Sequence, residues 1–353
     1  MVIIAALFAL SQIKSDLQNN VLKSLQTVNQ TTQEALQIWI NYLTTDLIDV
    51  TYEQQVVDLT QALISKHNKH SDIVNSVPLI QLRSVITKKL RKHTLNGFTL
   101  ISTNRTNLAA LHDEDIGNLN NIQKQRKAYL DRAFAGETLF IPTVHADTAL
   151  KTQAGEYRHH LPTIFIASPI LNSSGKVIAV LAMLIDPSKD FTRIMQLGRI
   201  GESGETYAFD DKGILISESR FDYQLRNTGL IGQADKGILT IQISDPGGNM
   251  LEGFTPTIPA NERPLTVMAK SAIAKNTNYN IDGYRDYRGV NVLGAWTWNE
   301  RFGFGITTEI NTDEAMRPYH KTRFIIFMIL SLTIILSVSL LYILLWLDKK
   351  TKI

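Results

Sequence analysis

The chain has 353 residues, 44% of them hydrophobic and 20% charged, with a net charge of +3. That length suits two or three domains, and so small a charge excludes nucleic acid as the main partner. Cysteine is absent, which rules out a disulfide framework, cysteine-ligated zinc and a thiol nucleophile.

The chain opens on an apolar run, Val2 to Leu10, too short to span a bilayer. It lacks the basic region and the A-x-A site of a signal peptide. Residues 1–13 are therefore read as part of a first transmembrane helix whose beginning is missing. From Ser11 to about His93 there is no Gly, and Pro78 is the only Pro. Leu17, Val21, Leu25, Val28, Leu36, Trp39, Ile40, Leu43 and Leu47 recur at helical spacing. They predict one very long helix with a break near Asp46 to Thr51, then a second helix after Pro78. A long helix leading out of a membrane span is the pattern of a receptor stalk, which pairs with its twin in a dimer.

The pattern changes at Gly97. Strands are predicted at Phe98 to Ser102, Phe140 to Val144, Thr163 to Pro169 and Val177 to Ile185, with NSSGK as the turn between the last two. A helix is expected over 121–136, ending at Gly136, and another after Asp186-Pro187. Strands then resume at Thr206 to Asp210, Gly213 to Ser217, Ile238 to Ile243, Leu265 to Ala272, Val290 to Trp298 and Gly305 to Ile310. FTLISTNR at 98–105 and GILISESR at 213–220 share Leu-Ile-Ser and a closing Arg. Each half also ends on a strand, then Asp186 or Asn311, then a helix. These matches point to duplication of an α/β unit of roughly 100 residues. Last comes Phe324 to Leu347, without a charge. At ~1.5 Å per residue it reaches roughly 36 Å, enough to cross a ~30 Å hydrocarbon core. Basic residues on both flanks leave its orientation open.

GRIGESGETYAFDDKGILISESRF at 198–221 and DGYRDYRGVNVLGAWTWNERFGFGITTEINTDEA at 282–315 closely resemble the membrane-proximal module of double Cache sensor domains. The likeness covers about Lys14 to Leu347 and is looser in the distal half. It implies an α/β (α+β) fold: a stalk helix over 14–96, a distal module over 97–200, a proximal module over 201–320, a transmembrane helix over 324–347 and a cytoplasmic start at 348–353. It further implies a bacterial cytoplasmic-membrane receptor with a periplasmic sensor and a homodimeric stalk, binding a small solute, a carboxylate or an amine. The signal would pass to a cytoplasmic output absent from this chain, which makes the chain itself no enzyme.

The same resemblance places ligands between the helix and the sheet of the distal module. Well-known members use Tyr, Arg, Trp and an Asp ending the last strand. Here Arg126, Tyr129 and Arg132 lie on the corresponding helix and Asp186 ends the corresponding strand, while the Arg-x-Trp element is missing. An Arg forks onto a carboxylate and an Asp holds an ammonium. Arg126 and Tyr129, three apart, share a helix face; the plainer alternative is a solvated surface. Asp186 can instead cap the next helix. The polar loop 145–162 carries His145, Asp147, Tyr157, Arg158, His159 and His160. Tyr157 and His159 are the lid residues expected to reach a ligand. Neither that loop nor His67 and His70 has rigid metal-ligand spacing, so no metal is assigned. The basic run 88–93 reads as a solvated helix end. Tyr284, Arg285, Tyr287, Arg288, Trp296 and Trp298 read as rigid packing. GESGETY lacks the Gly-Lys-Ser/Thr ending of a phosphate loop, and no catalytic motif or cofactor signature is present. Two other readings stay open: an interaction protein that senses a periplasmic partner or envelope state, and, more weakly, a membrane-bound hydrolase using the 145–160 loop.

Overall fold

A computed structural model describes residues 2–66, 73–91, 93, 95–147, 149–151 and 156–351. Helix α1, Val2–Thr51, is 50 residues long, or ~75 Å at 1.5 Å per residue. The expected break falls just after it, at Tyr52 and Glu53, before α2, Gln54–Ser65. Helix α3, Val77–Lys89, is capped by Ser76, whose Oγ accepts from Leu79 N, and carries Pro78 in its first turn.

Two antiparallel sheets follow. The first comprises β1 (Leu95–Ser102), β2 (Asn107–Ala110), β3 (Leu139–His145), β6 (Pro162–Leu171) and β7 (Val177–Ile185), in the order β2-β1-β7-β6-β3. A small pair, β4 (Leu150–Lys151) and β5 (Tyr157–Arg158), lies in the loop after β3. Helices α4 (Asn121–Gln125) and α5 (Lys127–Phe134) cover one face, and α6 (Asp190–Leu197) follows β7. The second sheet comprises β8 (Glu205–Phe209), β9 (Asn278–Arg285), β10 (Asn291–Asn299) and β11 (Phe304–Asn311), in the order β8-β11-β10-β9. Its cover includes α7 (Asp222–Asn227) and α8 (Val267–Ile273). From β11 the chain passes through α9 (Thr312–Ala315) into α10 (Arg317–Thr351).

The two sheets repeat one strand order. In each sheet the first strand, β1 or β8, lies beside the last, β7 or β11, which forms a hairpin with the strand before it. The quoted sequence match, however, is out of register. FTLIS belongs to β1, whereas Leu215 bridges the outer side of β8 at Phe209 and so takes the place that β2 holds in the first sheet.

Three other expectations change. Residues 213–217 and 238–243 make isolated bridges rather than ladders, because the Asp210 turn pulls Ile214 back at once: Asp210 Oδ1 accepts from Lys212 N and Ile214 N. Leu265 to Ala272 is mostly α8, since Thr266 caps Ala269 N at 3.2 Å and Met and Ala favour helix. The predicted helix over 121–136 is two helices with Arg126 between them at φ −139° and ψ 46°. Strands β2 and β9 were not expected. β9 is a polar, largely exposed edge strand, so it lacks an apolar alternation to detect.

Helix α1 packs on both sheets. Its Leu36, Ile40, Leu43 and Leu47 join Phe98, Leu100, Ile166, Leu181 and Met183 of the first sheet. Further back, Leu25 meets Leu293, Ala295 and Ile310 of the second. The sheets meet at an aromatic junction. Phe140 lies 5.8 Å from Phe302 and 5.6 Å from Phe304, and Phe191 lies 5.9 Å from Phe304 and 6.2 Å from Trp39 (ring centroids). Buried Asn29 on α1 donates to Ala295 O and Ile306 O at 3.3 and 3.2 Å and accepts from Thr297 Oγ1 at 3.1 Å. At the end of α9, the Glu314 carboxylate accepts from Glu202 N and Ser203 N, each at 2.7 Å. Removing Asn29 strands a hydroxyl and leaves two carbonyls short of a donor. Asn29→Ala is expected to lower unfolding stability by about 1–3 kcal/mol, measured by chemical denaturation beside an exposed control, Gln30→Ala.

Candidate functional site

Of the five expected ligand-binding residues, Arg126, Tyr129, Tyr157, His159 and Asp186, the structure brings together Arg126 and Tyr129. Arg126 sits in the break between α4 and α5, and its Nη2 reaches buried Asp210 Oδ2 at 2.8 Å. Tyr129 lies against the 299–303 turn: a Cβ on Gly303 would stand 2.2 Å from its hydroxyl. They share a side, as their spacing predicts, but that side faces the second sheet. Two more bonds cross there, Thr143 Oγ1 to Ile216 O at 2.8 Å and Glu218 N to Thr192 Oγ1 at 3.1 Å. Asp186 closes the turn into α6, its Oδ1 accepting from Ser188 N and Oγ at 2.9 and 2.6 Å. This is a turn rather than a helix cap, since the N-cap of α6 is Lys189 with no side-chain cap bond; Lys189 Nζ lies 3.8 Å from the other Asp186 oxygen.

The loop residues do not converge. His159 is exposed, with its ring 6.4 Å from that of His160. His145 Nδ1 lies 3.0 Å from His160 O, and Asp147 pairs with Lys124 at 2.9 Å. Tyr157 pairs with Lys151 through the β4–β5 ladder. Among the described residues no three His, Asp or Glu side chains form a metal-sized group. His67 and His70 lie outside the described residues. In the basic run, Lys88 is exposed, Lys89 meets Glu53 at 2.7 Å and His93 meets Asp46 at 2.6 Å.

The space between α4–α5 and the first sheet is filled by Ile101, Ile122, Leu130, Ile141, Phe165 and Val180. Polar groups collect instead beside it, around the 3-10 turn Asp113–Asp115. Buried Thr99 and Asn120 both donate to Asn107 Oδ1, at 2.8 and 2.7 Å, and Asn107 Nδ2 donates to Asp115 O. Asn121 and Gln125 hold His145 O, each at 2.7 Å. Asp115 Oδ1 in this region, and Gln123 Oε1 on α4, are buried acceptors with no donor among the described residues. Burial, then Asp147 and Glu114, pushes the Asp115 carboxyl up to about 6. Buried acceptors without donors are uncommon, and a donor-bearing ligand would satisfy them. Sequence reasoning passed over Asp113 to Asp115 and Asn120-Asn121, since no motif or spacing sets them apart.

The covering side of the second sheet is polar and closed. Glu205, Glu309, Asp286 and Arg288 are all buried there, with Tyr207, Tyr284 and Tyr287. Arg288 binds Asp286 twice, at 2.7 and 2.6 Å, and stacks on Phe221 at 3.8 Å. This agrees with the rigid packing expected of the 284–298 residues, except that Arg285 is exposed and paired with Asp245.

No family model and no curated protein matches the chain. Solved structures do. The ligand-binding domain of the Campylobacter jejuni chemoreceptor Tlp3, in complex with L-norvaline, is 13% identical, with 85% of this chain and 94% of that one covered and a TM-score of 0.47. The sensor domain of the V. cholerae histidine kinase DctB is 13% identical, with coverages of 83% and 98% and a TM-score of 0.49. The ligand-binding domain of the Pseudomonas aeruginosa PAO1 amino acid chemoreceptor PctB, in complex with L-Arg, is 12% identical, with coverages of 85% and 91% and a TM-score of 0.47. These three structures are ligand-binding or sensor domains of two chemoreceptors and a histidine kinase.

A carboxyl whose folded-state value is raised binds its proton more tightly folded than unfolded, so stability falls as pH climbs between the two values. For Asp115 that window runs from the ordinary 3.8 to about 6. Asp115→Asn is expected to flatten this part of the stability–pH curve. At neutral pH it should stabilise the free protein by about 1 kcal/mol, the shift being discounted for partial exposure. Thermal unfolding across the acid range measures both.

Proposed function

We propose that the chain is the ligand-sensing region of a dimeric transmembrane receptor of the double Cache type, with its sheets on the outer side of the bacterial cytoplasmic membrane. In this reading 97–200 is the distal module, 201–320 the proximal module and 324–347 the membrane span. The observation that carries it is the route out of the second sheet: β11 passes through α9 into α10. That helix is apolar and unburied over Arg317–Leu347, and is the one helix among the described residues long and apolar enough to cross a membrane. α1 touches both sheets and α10, so a shift in the first sheet has a packed path to the membrane helix.

The ligand is a small solute carrying a hydrogen-bond donor, an amine by preference, held where Asp115 and Gln123 lack partners. Tyr157 and His159 serve on the covering loop. Arg126 and Tyr129 carry the change to the second sheet, and Asp186 sets the turn into α6. Binding shifts a population between two arrangements of the sheets.

The test is a thermal-shift and calorimetric screen of the full chain in nanodiscs against amines, amino acids and carboxylates. An amine-bearing solute should stabilise it, and Asp115→Asn should weaken that solute at least tenfold, about 1.4 kcal/mol. Arg126→Ala should keep the affinity within a few-fold while reducing the response of α10, read by a spin label at its root. If no solute binds, or Asp115→Asn binds like the parent, ligand sensing at this site fails.

A further inference from the structure

The covering side of the second sheet holds an ionisable cluster for which ligand sensing has no use. Glu309 on β11 stands directly opposite Glu205 on β8, and both are less than 5% exposed. Glu205 is well supplied with donors: its Oε1 accepts from Ser219 Oγ at 2.7 Å and Arg220 N at 2.9 Å, and its Oε2 from Tyr287 Oη at 2.8 Å. Glu309 has only two phenols, Tyr207 at 2.9 Å and Tyr284 at 2.6 Å. Asp286 adds a third carboxylate, fully buried.

One cation, Arg288, serves these three acids among the described residues. It is committed to Asp286, Gln224 and Asn311, and the acid it favours besides Asp286 is Glu205. Around Glu309, β8 presents Glu205 and Tyr207, β9 presents Tyr284, and the turn after it presents Asp286, Tyr287 and Arg288. α8 presents only Met268, Ala269 and Ala272, its Lys270 being exposed. On α7, Asp222 and Arg226 face each other at 4.0 Å. Among the described residues Glu309 therefore has no cation of its own.

We infer that Glu309 is a proton-binding site through which external pH sets the packing of the second sheet against its cover and, through β11, the root of α10. Burial first, then Asp286 and Glu205, push its carboxyl up to about 8. Below that value the neutral acid fits between two phenols. Above it, an uncompensated charge faces two further carboxylates in a dry site, and the repulsion is relieved by moving the 286–290 turn, which carries Asp286, outward while the phenols stay on the anion. The sheet is built for this contact: a Cβ on Gly294 would stand 2.1 Å from Tyr284 Oη, so glycine there lets the phenol reach the acid. Folded Glu309 holds its proton above the ordinary 4.5, so stability falls as pH rises from there to about 8 and then levels.

No solute is needed to test this, so its outcome is separate from that of ligand sensing. The full chain in nanodiscs is titrated by infrared difference spectroscopy, and hydrogen exchange, corrected for its intrinsic pH dependence, is followed in β11 and α9. The parent should show a protonated-carboxyl band lost with a midpoint near 8, and faster exchange on the alkaline side. Glu309→Gln, which mimics the neutral acid, should lack the band and keep slow exchange throughout. Tyr284→Phe removes a donor to the anion and should move the midpoint upward, which supplies a readout if the Gln variant folds poorly. A band that survives Glu309→Gln, a midpoint indifferent to Tyr284→Phe, or exchange in β11 and α9 that does not follow the titration overturns the inference.

Discussion

The structure depends on the aromatic junction where Phe140 and Phe191 from the first unit meet Phe302 and Phe304 from the second. Four rings and Trp39 of α1 share one core, so neither sheet can rotate without repacking the other. Interiors at such density switch between discrete arrangements more readily than they deform. The polar bonds at the same boundary, Arg126 to Asp210 and Thr143 to Ile216, then fix which arrangement is held. Their worth lies in alignment: a part-buried Arg–Asp pair adds little net stability, but its loss leaves Asp210 buried without its cation.

The two sheets share a strand order and differ in what they cover. Beneath α4 and α5 the first sheet is packed with aliphatic side chains, and its polarity is displaced to the corner at Asp115. The second sheet carries its acids and phenols on the covered face itself. One topology thus supports two chemistries, a polar corner with unfilled acceptors and a sealed cluster of acids and phenols.

Much of the architecture was legible because it rests on periodicity and turn chemistry. The Gly-free stretch with apolar residues three and four apart became α1, and NSSGK made the expected turn. The site was less legible, for reasons specific to each residue. Arg126 and Tyr129 were read on a continuous helix, but no local signal reveals that Asp210, 84 residues away, holds Arg126 at a break. Asp186 carries the same letters whether it binds a solute or closes a turn on Ser188. Asp115 gains its character from burial, which a loop sequence does not announce. The repeated Leu-Ile-Ser suggested a true duplication from segments that are not equivalent, since strands of alternating apolar residues resemble each other wherever they fall in a sheet.

The Glu314 clamp has a kinematic consequence. Its carboxylate is fixed to two backbone amides at the entry of the second sheet, 202–203, one turn before α10 begins. An axial slide of that helix by a single residue, ~1.5 Å, would pull the carboxylate off both donors. Tilting or turning about the clamp leaves them in reach. The fold thus restrains piston motion at this joint and leaves pivoting as the compliant degree of freedom, with Glu314 as its fulcrum.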